Sequence, residues 1–267
     1  MRHKLTLGVF LSLWTIIMTG CAVGGGHPPG TVLPRASISM NLTIDDLVNR
    51  PDASQRVTTY LDEIAAAGYA HEIRMPLDRY WGPQLLTTAI PVIRAKGFKL
   101  LAILTPGNHV KPGYDAALDL IWIEQVLPQI RDILVGVQLA NEQWQTRIGS
   151  TKLTPFPPAE YVYWHRWITP SIRRLAPGVP IIEGDIDGGW SESIHWWEAT
   201  QRAGTIDIDA LSWHVYGADL PPAYGRTVWI TEAGSVNECV VPAVKCFVYT
   251  WNSTDSFAKR PGGGILP

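Results

Sequence analysis

The chain has 267 residues, of which 46% are hydrophobic and 17% are charged. This length and composition predict one large globular domain of about 200 to 250 residues after processing. The formal net charge of −2 excludes a strongly basic protein, so we expect no nucleic acid or other polyanion as a partner. The 12 tryptophans exceed what a packed core needs, which indicates a surface that binds flat ligands.

The first 20 residues have the features of an export signal. Positive charge in MRHK precedes an apolar run from Leu5 to Met18 that is too short for an ordinary membrane span. Residues 18–21, Met-Thr-Gly-Cys, resemble the lipobox of bacterial lipoproteins. The resemblance implies that Cys21 becomes the lipid-bearing first residue of the mature chain and anchors it to a membrane. The alternative is an ordinary signal peptide, or a retained apolar anchor, in which Cys21 has no role.

Residues 21–34 follow as a flexible tether rich in glycine and proline. No predicted strand precedes this stretch and no helix follows it, so its glycines do not indicate a phosphate loop. Ala22 after Cys21 is similar to the outer-membrane sorting pattern of bacteria with two membranes. We therefore expect a cell-envelope lipoprotein of the outer membrane or cell surface, otherwise a periplasmic or secreted protein, with one folded domain over residues 35–267.

From residue 35 the chain alternates short apolar runs with longer amphipathic stretches. The apolar runs predict eight strands, at residues 36–42, 70–76, 98–104, 134–141, 179–185, 208–215, 226–232 and 246–251. The amphipathic stretches predict helices at residues 57–67, 82–96, 116–132, 158–175 and 191–203. Several of these stretches are followed by the glycine expected after a helix.

The order of these elements predicts an α/β fold of the (β/α)8 TIM-barrel class. Strands separated by helices pair in parallel, and apolar runs such as FKLLAIL indicate strands buried on both faces. An open doubly wound sheet is the rival, but no glycine-rich nucleotide loop follows the first strand. Little room remains for helices after strands six, seven and eight. We therefore expect the last helices to be shortened or lacking, or the sequence to be truncated.

Polar and aromatic residues collect where the predicted strands end, which in a parallel barrel is the face that carries function. Two glutamates occupy such ends, Glu142 after strand four in LANEQW and Glu232 after strand seven in WITEAGS. The other candidates at strand ends are Arg74, His109, Asn141, Asp185, Asp187, Trp190, His214, Tyr216 and Trp251. Asp185 and Asp187 either reach a ligand or bind loop amides, and we leave them out of the predicted catalytic set.

The Asn-Glu pair after strand four and the Thr-Glu-Ala-Gly sequence after strand seven resemble motifs of the clan A superfamily of retaining glycoside hydrolases. The resemblance extends from about strand two to strand eight. It implies that Glu142 is the general acid/base, that Glu232 is the nucleophile and that Asn141 binds the sugar 2-hydroxyl. His-Val-Tyr in strand six is similar to the superfamily's His-x-Tyr, which implies His214 at the substrate and Tyr216 against the nucleophile. Further matches to substrate-binding residues are Arg74, His109 and Trp251.

The chemistry explains why two carboxyl groups are needed. Cleaving a glycosidic bond requires a proton for the leaving oxygen and a negative charge facing the oxocarbenium-like carbon. Retention requires the two groups about 5 to 5.5 Å apart, whereas inversion requires about 6.5 to 9.5 Å. We expect less polar surroundings beside Trp144 to raise the pKa of Glu142, and Arg74 and Tyr216 to keep Glu232 ionised. The predicted rate profile is bell-shaped.

Each of these residues also has an ordinary structural interpretation. Glu142 could cap the loop after strand four, and His214 could be a hydrogen-bonded core histidine. Arg74 could pair with Glu72 or Asp78, and the tryptophans at strand ends could be packing residues. The strand-end positions and the Asn-Glu pair favour the functional interpretation.

Two rival functions stay open from the sequence. One is a metal-dependent hydrolase on the same barrel, with His109, His214, Asp185 and Glu232 as ligands. HEIRM at residues 71–75 lacks the second His of a zinc-protease motif, so we expect no metal and no cofactor. The other is a non-catalytic carbohydrate-binding lipoprotein. The composition favours no particular glycan, while the short connections after strands six and seven favour an open groove for a polymer.

Cys239 and Cys246 are the cysteines that remain once Cys21 carries a lipid, and they lie seven residues apart. In an oxidising compartment we expect them to form one disulfide. Two buried free thiols are the alternative. Neither has a His or Cys at zinc-site spacing, which argues against a metal there.

Overall fold

The computed structural model describes residues 31–44, 47–106, 114–148, 151–217, 219–240 and 242–249. Within them eight parallel strands close into a barrel, in which successive strands are neighbours and the last pairs with the first. The strands are β1 Ile38–Asn41, β2 Glu72–Pro76, β3 Lys99–Ile103, β4 Leu134–Gln138, β5 Ile181–Asp187, β6 Ala210–Val215, β7 Val228–Ala233 and β8 Lys245–Val248. The predicted (β/α)8 barrel is confirmed.

Helices follow each of the first five strands. They are α1 Ala53–Ala66, α2 Gly82–Thr88, α3 Ile90–Ala95, α4 Ala116–Ile130, α5 Pro158–Leu175 and α6 Ser191–Ala203. In α1, Val57, Leu61 and Ile64 recur on one buried face. The single helix predicted for residues 82–96 is wrong, because Pro91 has no N–H for the preceding turn and two helices form. None of the helices in the described residues is both long and apolar enough to cross a bilayer.

The barrel interior has an apolar layer and, nearer the carboxyl ends of the strands, a polar layer. The apolar layer consists of Leu101, Ile182, Ala210, Trp229 and Phe247. Gly136 makes room for it, because a Cβ there would lie 2.5 Å from Ile182 and 3.3 Å from the Trp229 ring. The polar layer includes the buried residues Asn41, Arg74, Gln138, Ser212 and Thr231. This polar layer supports the candidate site.

The last strands have a different outer cover. Among the described residues from 204 to 249 there is no α-helix, and only the short 3-10 helix Val236–Glu238 occurs. The Cys239–Cys246 disulfide links the segment before β8 to β8 itself. The N-terminal segment packs beside it, since Leu33 N–H donates to the Cys239 carbonyl at 2.7 Å. The predicted disulfide is confirmed, and so is the loss of helices after β6 and β7.

Candidate active site

Glu142 and Glu232 come together at the carboxyl end of the barrel. Glu232 lies within β7, whereas Glu142 lies in the loop after β4, because β4 ends at Gln138 and is shorter than predicted. One carboxylate oxygen of Glu142, one of Glu232 and one ring nitrogen of His214 all lie within 4.8 Å of one another. The two acids are therefore close enough to act on one atom placed between them.

Glu232 is held as a carboxylate by two donors. Arg74 Nη1 lies 2.7 Å from its Oε1, and the Tyr216 hydroxyl donates to its Oε2. Burial acts to raise the pKa of Glu232, but the charges of His214 and Arg74 and these hydrogen bonds outweigh burial and lower the pKa. The contacts expected of Arg74 and Tyr216 are present.

Glu142 has different neighbours and the opposite pKa shift. Its Oε1 lies 2.9 Å from His214 Nδ1, and Gln145 Nε2 donates to its Oε2. Burial raises the pKa of Glu142, the contact with His214 lowers it, and the charges of Glu232 and Asp185 add to the increase. The backbone at Glu142 is left-handed, with φ +50°, which is uncommon for a residue other than glycine.

His214 is fully buried between three carboxylates. Its Nδ1 lies 2.9 Å from Glu142 and 3.7 Å from Glu232, and its Nε2 lies 3.5 Å from Asp185 Oδ1. Burial acts to lower the pKa of His214, but the charge of Glu232 and the contacts with Asp185 and Glu142 raise it well above its usual range. The three acidic neighbours therefore favour the imidazolium form of His214. The resemblance implied a place at the substrate, and the neighbours observed are the carboxylates themselves.

Arg74 connects Glu232 to Asn141. While Nη1 donates to Glu232, Nη2 donates to Asn141 Oδ1, and Nε donates to Gln138 Oε1 at 2.8 Å. Arg74 therefore does not form the alternative ion pair with Glu72. Because Oδ1 of Asn141 faces the guanidinium, its Nδ2 is the atom left to donate to a ligand.

Solved structures that resemble this barrel include a β-glycosidase, a xylanase and a GH5_18 protein. A β-glycosidase is 11% identical with a TM-score of 0.56, over 82% of this chain and 87% of that one. The catalytic domain of the GH30 xylanase C from Talaromyces cellulolyticus is 14% identical with a TM-score of 0.53, over 84% and 69%. The GH5_18 protein from Streptomyces cattleya, solved with GlcNAc, is 13% identical with a TM-score of 0.54, over 80% and 71%. The chain shares its barrel fold with these three proteins.

The barrel expected from the clan A resemblance is thereby confirmed as a fold. No protein-family model matches the sequence, and no curated protein matches it either. Identities of 11 to 14% show shared architecture alone. The function of this barrel follows from the chemistry of its own site.

Asp185 is the main contributor that the predicted catalytic set left out. Its Oδ2 accepts the backbone N–H of Glu142 at 2.9 Å, and its Oδ1 accepts hydrogen bonds from Gln138 at 2.8 Å and Ser212 at 2.5 Å. Of the two interpretations of Asp185, binding of a loop amide is the one observed. Asp187 does the same, because its Oδ1 accepts the Gly189 N–H at 2.7 Å.

Aromatic residues border the Glu142 loop. The indole N–H of the buried Trp144 donates to the Asp185 carbonyl at 2.7 Å, and its ring lies 6.0 Å from that of Trp190, which is 46% exposed. His109 and Trp251, predicted to bind sugar, lie outside the described residues, as do Cys21 and the rest of the predicted signal. Their roles stay predictions.

The acid cluster also has side chains of the types that bind metal ions. Glu142, His214 and Glu232 are close enough to meet one cation. However, both oxygens of Glu232 already accept hydrogen bonds from Arg74 and Tyr216. The Arg74 guanidinium would repel a cation placed against the same carboxylate. These contacts fit a pair of acids better than a metal centre.

Proposed function

We propose that the protein is a retaining glycoside hydrolase that cleaves β-linked glycosidic bonds in polysaccharides or oligosaccharides. The observation that carries the proposal is the pair Glu142 and Glu232, with oxygens within 4.8 Å and opposite pKa shifts. Retaining enzymes place their carboxyl groups about 5 to 5.5 Å apart, and inverting enzymes about 6.5 to 9.5 Å. The β-glycosidase and the xylanase among the similar structures add support.

The reaction takes two displacements. In the first, a Glu232 oxygen attacks the anomeric carbon while Glu142 transfers its proton to the departing glycosidic oxygen, so an ester to Glu232 forms as the glycosidic bond breaks. In the second, the ionised Glu142 takes a proton from water, whose oxygen attacks the anomeric carbon and releases Glu232. Glu142 is again protonated and Glu232 again ionised at the end of the cycle.

The neighbours of the two acids suit these roles. Arg74 and Tyr216 hold Glu232 in its ionised form and oriented for attack. When Glu142 has given up its proton, the adjacent His214 imidazolium stabilises the new carboxylate. Asn141, held by Arg74, presents its Nδ2 to the sugar 2-hydroxyl.

The substrate is expected to lie across an open groove rather than in a closed pocket. The connections after β6 and β7 contain no α-helix in the described residues. Trp190 is exposed beside the Glu142 loop and offers a face on which a sugar can stack. His109 and Trp251 complete the proposed sugar contacts.

We also propose that the protein works at the cell envelope, anchored through a lipid on Cys21. Support comes from the sequence MTGC after a short apolar run. Growth with a labelled fatty acid should label the wild-type protein but not Cys21→Ser. Equal labelling of both proteins would contradict the anchor and leave the proposed chemistry unaffected.

A substrate panel tests the proposed function. The purified protein should hydrolyse at least one of β-linked glucan, mannan, xylan or galactan, and Glu232→Ala should lose hydrolysis while still binding that glycan. Binding without hydrolysis by the wild-type protein would favour the non-catalytic carbohydrate-binding alternative. Loss of activity in a chelator, restored by adding metal, would favour the metal-dependent alternative.

A further inference from the structure

Strand β5 departs from regular strand geometry beside Glu142. Its pairing with β4 ends at Gln138 and Ile182, and its pairing with β6 shifts register beyond Glu183. Gly184 has φ +122° and Asp185 has φ +47°. A Cβ at residue 184 would lie 2.7 Å from the Leu211 side chain, so this irregular turn of the strand needs glycine. Such bulges redirect side chains, and this one redirects Glu183 and Asp185.

Both acids of this bulge bind the backbone that leads to Glu142. Glu183 Oε1 accepts the N–H groups of Leu139 at 2.5 Å and Ala140 at 3.1 Å. Asp185 Oδ2 accepts the N–H of Glu142 at 2.9 Å. These N–H groups lie past the end of the ladder between β4 and β5, so the carboxyl groups of Glu183 and Asp185 replace strand hydrogen bonds that the ladder no longer supplies.

Asp185 reaches Glu142 by a second route, through His214. Its Oδ1 lies 3.5 Å from His214 Nε2, and Nδ1 of the same ring lies 2.9 Å from Glu142 Oε1. Gln138 and Ser212 donate to the same Oδ1 and fix its position. Asp185 thus contacts the backbone of Glu142 directly and its carboxyl group through one imidazole.

We propose that Asp185 is a positioning residue for Glu142, which fixes the backbone of this acid and holds His214 as the imidazolium that binds its carboxyl group. Asp185 is fully buried, so it acts through these two residues rather than on a substrate. The positioning role rests on the proposed function of Glu142, whereas the effect on His214 is measurable without turnover.

The charge of Asp185 is well suited to this role. Burial acts to raise the pKa of Asp185, but the nearby charges of His214 and Arg74 and the hydrogen bond from Ser212 outweigh burial and lower it. Asp185 therefore stays ionised while Glu142 gains and loses its proton. The ionisable groups that face His214 are Glu142 after β4, Asp185 and Asp187 on β5, Tyr216 after β6 and Glu232 on β7.

Asp185→Asn removes the charge and keeps the shape. Asparagine has one acceptor oxygen where aspartate has two. Either the Glu142 N–H or the pair of donors Gln138 and Ser212 therefore loses its acceptor. Nitrogen-15 NMR of the histidine rings measures the His214 titration, with the signal assigned by its absence in His214→Gln. The pKa of His214 should fall by about one unit or more in Asp185→Asn. An unchanged His214 pKa would overturn the proposal.

Aryl β-glycosides with a range of leaving groups test the positioning of Glu142. For poor leaving groups, which need the acid, kcat/KM should fall on the order of 100-fold in Asp185→Asn. For dinitrophenyl glycosides, which leave without a proton, it should change less than about threefold, with KM little altered. An equal loss across the series would show a merely structural role and overturn the positioning claim.

A matched control removes another buried carboxylate. Asp119 lies on α4, and its partners Arg79 and Trp164 are not residues of the acid cluster. Asp119→Asn should change kcat/KM by one common factor across the leaving-group series and leave the His214 titration as in the wild type. If the wild-type protein hydrolyses no glycoside, the proposed function fails, and the His214 titration still decides whether Asp185 holds the imidazolium.

Discussion

The two acids of the site are supported in different ways. Glu232 lies within a strand of the barrel, its side chain is 7% exposed, and it receives hydrogen bonds from Arg74 and Tyr216. Glu142 lies in a loop four positions past the last residue of β4, its side chain is 20% exposed, and its carboxyl contacts are His214 and Gln145. Glu232 is therefore buried within a barrel strand, whereas Glu142 is partly exposed to solvent.

In the proposed mechanism, this difference lets one small site hold one acid protonated and the other ionised. A nucleophile has to stay charged and aligned with one carbon, which rigid strand neighbours and cationic donors provide. A proton carrier has to exchange its proton in every cycle, and partial exposure allows that. Four of the five changes described next alter one side of the site or the other, and the fifth alters the cover of the last strands; they begin with the largest expected effect.

Removal of Glu232 should cost the most, because nothing else within the described part of the site is placed to replace it. Glu232→Gly should lower kcat by at least about 10⁴-fold. Added azide should restore turnover and give a glycosyl azide of inverted configuration, because azide fills the space of the lost carboxylate. Glu124→Ala, which breaks a surface ion pair with Arg174, is the control and should keep wild-type rates.

Loss of the Glu142 proton should cost less and change the pH profile. Wild-type activity needs Glu232 ionised and Glu142 protonated, so it falls as pH drops through the lowered pKa of Glu232 and as pH rises through the raised pKa of Glu142. Glu142→Gln should reduce kcat/KM by about 10²- to 10⁴-fold for poor leaving groups. The alkaline limb should disappear, and a variant that keeps it would contradict the assignment.

Substitution of Arg74 should weaken the Glu232 side. Lysine keeps the charge but cannot donate to both Glu232 and Asn141 from one planar group. Arg74→Lys should lower kcat/KM about 10- to 100-fold and move the acid limb to higher pH. Arg94→Lys, which alters an exposed ion pair with Asp132, serves as the control and should leave both unchanged.

Removal of the Tyr216 hydroxyl should have a smaller effect of the same sign. This hydroxyl stabilises the ionised form of Glu232, so Tyr216→Phe should raise the pKa of Glu232 and shift the acid limb upward. The expected loss in kcat/KM is about 10-fold. Tyr224→Phe, whose hydroxyl lies 3.4 Å from Glu198, should show neither change. An acid limb that moved to lower pH in Tyr216→Phe would reverse the assigned role of the hydroxyl.

The disulfide should matter least for the chemistry. Cys239 and Cys246 close a short loop on the outside of β8, in the part of the barrel where the described residues form no α-helix. Replacing both by serine should lower the free energy of unfolding by about 2 to 3 kcal/mol, and kcat at 25 °C should stay within about twofold. Thermal unfolding and initial rates measure the two effects, and a large loss of kcat in the folded variant would show that this cover also shapes the site.

The sequence predicted the features that depend on residues close together along the chain. Alternating apolar runs and helical patterns identified the eight strands, and strand-end positions brought Glu142 and Glu232 to one face. The disulfide followed from two cysteines close along the chain. The prediction of one helix at residues 82–96 was wrong, because Pro91 divides this stretch into two helices.

The missed features depend on contacts between distant segments. The sequence EGDIDGGW shows three acids near a strand end, but not that Gly184 and Asp185 adopt left-handed backbone and turn the Asp185 carboxylate toward the Glu142 N–H. Nor does it show that His214 is enclosed by three carboxylates, because these come from three other strands or their loops. Such features arise only when the barrel closes.

The spacing of Glu142 and Glu232 is tested most directly by the stereochemistry of the first product. Proton NMR of the anomeric region, recorded in the first minutes of hydrolysis of a β-glycoside, distinguishes the two anomers before they interconvert. Two acids at this separation predict that the β-anomer forms first and that the α-anomer appears only later by mutarotation. An α-anomer formed first would mean that water attacks directly, and it would contradict Glu232 as the nucleophile.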